Sequence, residues 1–466
     1  MKDHQPKNRT YRKWYVPSIA LVWLGASASF MVTAKTLDTS FYLNGFLSAG
    51  ALYTEDRTLI IDSQVEQVTE SDATLIHSAA GIQLDAILSN EVRFSAQLVG
   101  TGLEDNFNVR AEWAYGAIKL SPETTLRAGR IRLPTFIVSD FFEVGFAFPW
   151  VTPPPEIYFL SPILNLEGVD LLIQKNFEGI PIIGNVNVLI QPMFGQSVKI
   201  DALLQLPIGL DLSSVQAGGE IAPIFGARNI VIQAEDVAAL NLSVQIEKVN
   251  LHFNYTEALL LFSDAPLERV ILSYADTAKT VEYAFLVALL DGSYATGASD
   301  LLASTQGLSE EQIQALIGID PTLLEFSFGN EISVSNLAPN QIDSSFSSLG
   351  FEWQDRNWML MAEYAYRELK DFTEGGAWYL TVGHQFGPFL PHLTFAAVDA
   401  KFETSAAAFS QEQHSITVGL VFQYSDSLVL KSDFSRIEPD KVSGGIFQLG
   451  ADETVDVLNV AIESIF

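Results

Sequence analysis

The chain of 466 residues contains no cysteine. Disulfide frameworks, thiolate nucleophiles and cysteine-held metals are therefore excluded together. Histidine is scarce, with six copies at 4, 77, 252, 384, 392 and 414. His384 and His392 lie close across a turn, have no carboxylate beside them in the sequence, and read as interfacial residues. Basic residues are also few: 26 Lys and Arg against 56 Asp and Glu give a formal charge of −30, which argues against nucleic acid as a partner. There is no Walker loop, no His-Glu-x-x-His, no Gly-x-Ser-x-Gly and no EF-hand loop, so the expectation is a protein that is not an enzyme and needs no metal or cofactor. Long apolar runs are missing too, apart from one near the N-terminus, although 48% of residues are hydrophobic and only 18% charged. High apolar content without helical spans is the composition of a lipid-facing barrel, in which half of each strand faces lipid.

The one apolar run follows Lys2, Lys7, Arg9, Arg12 and Lys13, extends from Trp14 to Val32, and ends in small residues. That order of basic, apolar and small-residue regions is a secretory signal, with cleavage expected after Ala34 or, as the competing site, after Ala28. A membrane anchor is the alternative, and Pro17, Ser18 and the Ala/Ser tract weaken it. Residues 1–34 carry five basic groups and one acid, so their removal takes the net charge from −30 to −34 and leaves 35–466 as the mature chain.

Alternation dominates what remains. Val92, Phe94, Ala96 and Leu98 alternate with Arg93, Ser95 and Gln97, and Val109, Ala111, Trp113 and Tyr115 alternate with Arg110, Glu112 and Gly116. Successive strand residues point to opposite faces, so each segment has one apolar and one polar face. The same pattern is clean from Ser345 onward, with Trp358, Leu360, Ala362, Tyr364 and Tyr366 on one face and Ile416, Val418, Leu420, Phe422 and Tyr424 on another. A soluble sandwich shows such alternation as well. The connections decide between the two, because tight turns at 89–90, 355–356, 387–388 and 425–427 alternate with longer polar loops, as in a transmembrane barrel. Closure also hides the edges that an open sheet of this size would expose. Aromatic residues on the apolar faces (Trp113/Tyr115, Tyr364/Tyr366, Trp378, Phe422/Tyr424) are expected to form interfacial girdles.

The reading is all-β: a transmembrane antiparallel barrel of about 16 strands, or 18 if residues 267–290 form a hairpin in the wall. Residues 263–344 are assigned to a long external loop, with a short helix over Ser309–Ile317 where Ser309 and Gln312 have capping-box spacing.

One stretch is more specific. LRAGRIRLPTFIVSDFFEVGFAFPWVTPPPEIY (Leu126–Tyr158), followed by GVDLLIQ (Gly168–Gln174) and, at the far end, an amphipathic strand finishing on Phe466, resembles the outer-membrane porins of Gram-negative bacteria. The similarity is to the sixteen-stranded porin superfamily that includes DcaP-like and phosphate-selective porins. The resemblance implies a bacterial outer-membrane location, a homotrimer, contact with lipid and lipopolysaccharide, and passage of small hydrophilic solutes. It also implies that residues 134–165 fold inward as a constriction loop. The wall groups would then be Arg93, Arg110, Glu112, Arg127, Arg130 and Arg132, facing Asp140, Glu143 and Glu156 on the loop. Opposed charges in a narrow pore set up a transverse field that orients solutes. Alternation puts Arg93, Arg110 and Arg127 on polar faces, but parity breaks at Gly129, so Arg130 and Arg132 point elsewhere unless a bulge re-aims them. The plainer reading is that wall charges only pair with one another, Arg110 with Glu112 for example. No lysine ladder of the phosphate-porin kind is present.

Two functions remain open: a passive aqueous channel, and a non-conducting barrel with an adhesive, structural or hydrolytic role. Inward polarity separates them. Arg93, Gln97, Arg110, Lys431 and Asp433 are expected to face water in a channel, whereas a plugged barrel would have apolar or tightly paired interior positions.

Overall fold

In the computed structural model, the described residues are 39–54, 59–61, 66–68, 78–103, 106–158, 160–161, 163–181, 184–211, 222–263, 269–274, 277–282, 341–370, 373–402, 411–439 and 454–466. The signal segment 1–34 and the expected helix Ser309–Ile317 lie outside them.

The wall begins with β1 (Ser40–Thr54), β2 (Ser78–Ile87), β3 (Val92–Leu103) and β4 (Asn106–Ser121). It continues with β5 (Thr124–Arg132), β6 (Asn165–Ile180), β7 (Gly184–Ser197) and β8 (Ala222–Ile246). Next come β9 (Val249–Ser263), β10 (Gln341–Asp355), β11 (Trp358–Leu369) and β12 (Thr373–His384). It ends with β13 (Phe389–Phe402), β14 (Gln411–Ser425), β15 (Leu428–Pro439) and β16 (Val455–Ile465). Each strand pairs antiparallel with its neighbours. The ring closes through β1, which pairs with β2 over Ser40–Ser48 and with β16 over Phe46–Thr54, giving a closed sixteen-stranded barrel. Gly45 and Phe466 complete the seam by exchanging two backbone hydrogen bonds of 2.9 and 3.0 Å. In a closed wall neighbouring strands satisfy one another's backbone groups, which is what lets a sheet cross lipid.

At one end, none of the seven turns between strands exceeds four residues; the long connections are at the other end. After β7, strand Ile200–Asp211 continues along the first half of β8, and Arg269–Tyr274 and Thr277–Glu282 form a hairpin beside it. That hairpin lies outside the wall, because β9 pairs directly with β10 from Val249 to Leu261. The barrel therefore has sixteen strands and not eighteen, while the expected long loop contains a strand pair.

Outward positions carry the apolar alternation: Leu47, Phe94, Leu98, Val418, Leu458 and Ile462 are all exposed on the outer face. The register corrects one assignment. Glu112 is the extra residue of a bulge, since Gln97 pairs with Trp113 and Leu98 with Ala111. The bulge reverses parity along β4. Trp113 and Tyr115 thus share the inward face of buried Gln97, and Ala114 takes the outward position. Tyr115 is no girdle residue; the Arg127 guanidinium lies 5.0 Å over its ring. Trp358, Tyr364, Trp378 and Tyr424 do lie exposed on the outer face.

Candidate pore constriction

β5 stops at Arg132, and Pro134 removes a strand donor just beyond it. The chain then turns into the barrel and returns at Leu164, whose carbonyl accepts from Leu133 N at 2.8 Å to close the neck of the loop. Within the loop lie two 3-10 turns, Ser139–Phe141 and Gly145–Ala147, and a helical turn, Pro155–Tyr158, with proline at its favoured first position. Ser139 Oγ accepts from Phe136 N at 2.8 Å and fixes the first bend.

Why the loop folds inward is visible in its side chains. Phe136, Ile137, Phe141, Phe148, Trp150 and Ile157 are buried against inward residues of β11 to β15, among them Met361, Tyr379, Leu390 and Val421. Polar anchors hold the same interface. Trp150 Nε1 donates to Thr394 Oγ1 at 2.9 Å, Val151 N donates to Asp433 at 2.6 Å, and Ile137 N donates to Glu363 at 2.9 Å. Lys431 Nζ donates to the carbonyls of Gly145 at 2.5 Å and Trp150 at 2.9 Å while pairing with Glu463 at 2.7 Å. Lys431 and Asp433 therefore do not face water, as the alternation suggested; they are 3% and 2% exposed beneath the loop. Gln97 is likewise buried. His392 is also buried, and its Nε2 is 3.4 Å from Asp433 across Gly419, so it has the carboxylate neighbour its sequence context lacked. His384 does sit in an aromatic group near a turn, with ring centroids 4.5 Å from Trp358 and 4.2 Å from Phe386.

On the opposite side of the loop the arginines gather. Arg110 pairs with Glu112 and, at 2.7 Å, with Glu143 of the loop. Arg132 reaches Glu112 at 2.5 Å and donates to the Ser139 carbonyl at 2.7 Å. Asn165 adds a third donor to Glu112 at 3.2 Å. Arg127 grips Asp170 with two nitrogens, the Nε contacts being 2.9 and 3.1 Å, and Gln191 steadies the same carboxylate at 2.7 Å. Asp140 lies within the field of Arg127 and Arg132, yet burial pushes its carboxyl above the usual range against their pull. Arg93 is half-buried on the inward face of β3.

Two expected members are elsewhere. β5 pairs with β4 only up to Ala114–Arg130, leaving the Ala111 carbonyl at the bulge beyond the end of that ladder. Arg130 donates to that carbonyl at 2.8 Å and caps the exposed strand edge, on the face of β4 opposite Tyr115. Glu156 is on the far side of the loop, where it accepts from Gln413 at 2.8 Å, away from the arginines. Asp170, Asn165 and Gln191 complete the cluster and were not anticipated. Asp170 had a usable signal, since it falls on the polar face of β6 directly opposite Arg127.

Exposure within the cluster is ordered. Arg110 and Arg127 side chains are 26% and 16% exposed, whereas Glu112 and Asp170 are 1% and 0%. The carboxylates lie behind, and the surface they leave towards the lumen is mainly guanidinium, with Glu143 at 12% opposing it.

Glu156 yields a pH-dependent prediction. Burial raises its carboxyl above the ordinary 4.5, so the folded protein holds a proton that the unfolded chain releases at lower pH. The charge therefore destabilises the loop fully above the raised value, and the penalty fades as pH falls from there towards 4.5. Glu156→Gln is expected to raise the unfolding midpoint at pH 8 and to lose that advantage near pH 4.5. Thermal melts of both proteins across pH check it, and an equal offset at all pH values would refute the burial argument.

No protein-family profile and no curated protein matches this chain. Solved structures do. OmpF of Salmonella typhi, in complex with daunomycin, is 11% identical, with 94% of this chain and 100% of that one covered and a TM-score of 0.50. The anion-selective porin of Comamonas acidovorans is 12% identical over 92% of this chain and 100% of its own, with a TM-score of 0.49. The outer membrane channel DcaP of Acinetobacter baumannii is 9% identical over 93% and 99%, with a TM-score of 0.48. At such identities only the fold is shared. The apolar outer face and closed wall put the barrel in a membrane, and its fold is that of the porins of the bacterial outer membrane.

Proposed function

We propose that the protein is a narrow passive channel of the bacterial outer membrane, admitting small hydrophilic solutes and favouring anions at its constriction. The carrying observation is the partly exposed Arg110 and Arg127, backed by buried carboxylates and opposed by Glu143 of the loop. Diffusion through such a pore needs no cofactor and no catalytic group. Discrimination comes from width and from guanidinium charge acting in a region of low dielectric. In the same reading the barrel assembles as a homotrimer and meets lipopolysaccharide with its outer band.

A second reading has its own support. The inward faces of β11 to β15 carry an apolar cluster that the loop covers, and the interior ions are closely paired, as expected of a plugged barrel. Refolded mature protein in a planar bilayer under a salt gradient separates the two. Discrete steps with an anion-selective reversal potential are expected; a cation-selective potential would move control to the acidic outer loops, and folded barrels that insert without steps would support the plug.

A further inference from the structure

Behind the loop, on the wall side of Trp150–Pro155, lies a cavity of about 60 Å³. Thr394, Ser415, Thr417, Ser435, Asn459 and Asp433 turn oxygen-bearing side chains to it from β13 to β16. None of its lining residues is Lys, Arg or His. Its one charge is the Asp433 carboxylate, itself 2% exposed. One oxygen of Asp433 is held by Val151 N at 2.6 Å; the other has no hydrogen-bond donor and is 3.4 Å from His392 Nε2. Lys431, the nearest ammonium, is engaged by Glu463 at 2.7 Å and by two loop carbonyls. Inward Gly419 is what allows His392 and Asp433 to meet over β14, because a Cβ there would strike both side chains.

A buried carboxylate whose second oxygen accepts no hydrogen bond, with only the His392 imidazole and an already engaged Lys431 near it, is unfavourable as it stands. Hard cations take oxygen ligands, and a single carboxylate matches a single positive charge. The volume suits an ion with a water or two and is too small for a sugar. Among the described residues no three His, Cys, Asp or Glu side chains converge, so a transition-metal site is not indicated. We propose that this cavity binds a small monovalent cation of the alkali type, which completes the coordination of Asp433 and steadies the loop segment Val151–Pro155 from behind. Thr417 and Ser435, whose hydroxyls are 2.7 Å apart, supply neutral ligands. The site would exist whether or not the barrel conducts.

The test uses refolded mature barrel in detergent at pH 8, with sodium chloride titrated against N-methylglucamine chloride at constant ionic strength. Sodium NMR line width is followed for the wild type and for Asp433→Asn, Thr417→Val and Ser435→Ala. Saturable broadening is expected in the wild type, with affinity weakened about tenfold or more in Asp433→Asn and less in the two hydroxyl variants, as for loss of a bond to a charged group. The hydroxyl variants keep the Val151–Asp433 bond, so they report on the cavity even if Asp433→Asn folds poorly. No saturable broadening would mean that ordered water alone fills the cavity. Broadening unchanged in all three variants would assign it to ions on the acidic outer loops. Either result overturns the proposal.

Discussion

Glu112→Leu is expected to destabilise the barrel by about 3–5 kcal/mol, the range for removing one partner of a buried ionic group. Glu112 is 1% exposed and serves Arg110, Arg132 and Asn165 together. Without it, Arg110 still has Glu143, and its partial exposure lets water take up the rest. Arg132 has no such escape: at 5% exposure it would keep the Ser139 carbonyl as its remaining named partner. The loss therefore falls mainly on Arg132, at the point where the loop leaves β5. Glu112→Gln keeps an acceptor and the bulge while losing the charge, so it should cost less than the leucine variant. Urea unfolding in phospholipid vesicles, followed by tryptophan fluorescence, measures both. A loss below about 1 kcal/mol for the leucine variant would show that the cluster behaves like an exposed pair, for which such values are usual.

The outer face was legible in the sequence because lipid imposes one rule at every second residue. Leu458, Val460, Ile462 and Phe466 follow it, interrupted only by Ser464, and all four are exposed there. Closure followed from the same rule, since a sheet in lipid has to hide its edges. A bulge is harder to see. One extra residue at Glu112 reverses the parity of Trp113 and Tyr115, and an aromatic residue fits either face, so the composition gave no warning. Alternation also says which way a side chain points, but not what covers it. Lys431 and Asp433 do point inward; the loop that buries them comes from some 280 residues earlier in the chain. The same limit divides the loop acids. Glu143 meets Arg110, whereas Glu156 follows three prolines into a helical turn that carries it to β14. Arg130 was hardest of all, because its role depends on where β5 parts from β4.

Trp150→Ala is expected to leave the barrel closed but to release the middle of the loop, raising single-channel conductance. Trp150 is 1% exposed, meets Tyr379 edge-on with centroids 5.3 Å apart, and donates to Thr394. Truncating a buried tryptophan to alanine costs about 3–5 kcal/mol, of the same order as the whole stability of many domains. The wall does not share that loss, since its strands are joined by their own ladders and by the β1–β16 seam. The loop does, because its remaining anchors at Lys431 and Asp433 bind the backbone immediately around Trp150. Planar-bilayer recordings beside far-UV circular dichroism check the expectation: larger or noisier steps with an unchanged strand signal. If the wild-type barrel is plugged, the same variant should conduct where the wild type does not, so the substitution is informative under both readings. Unaltered conductance with a folded barrel would mean that the narrowest point lies away from this segment, and the Arg110–Glu143 pair on the opposite side of the loop would then be the place to widen.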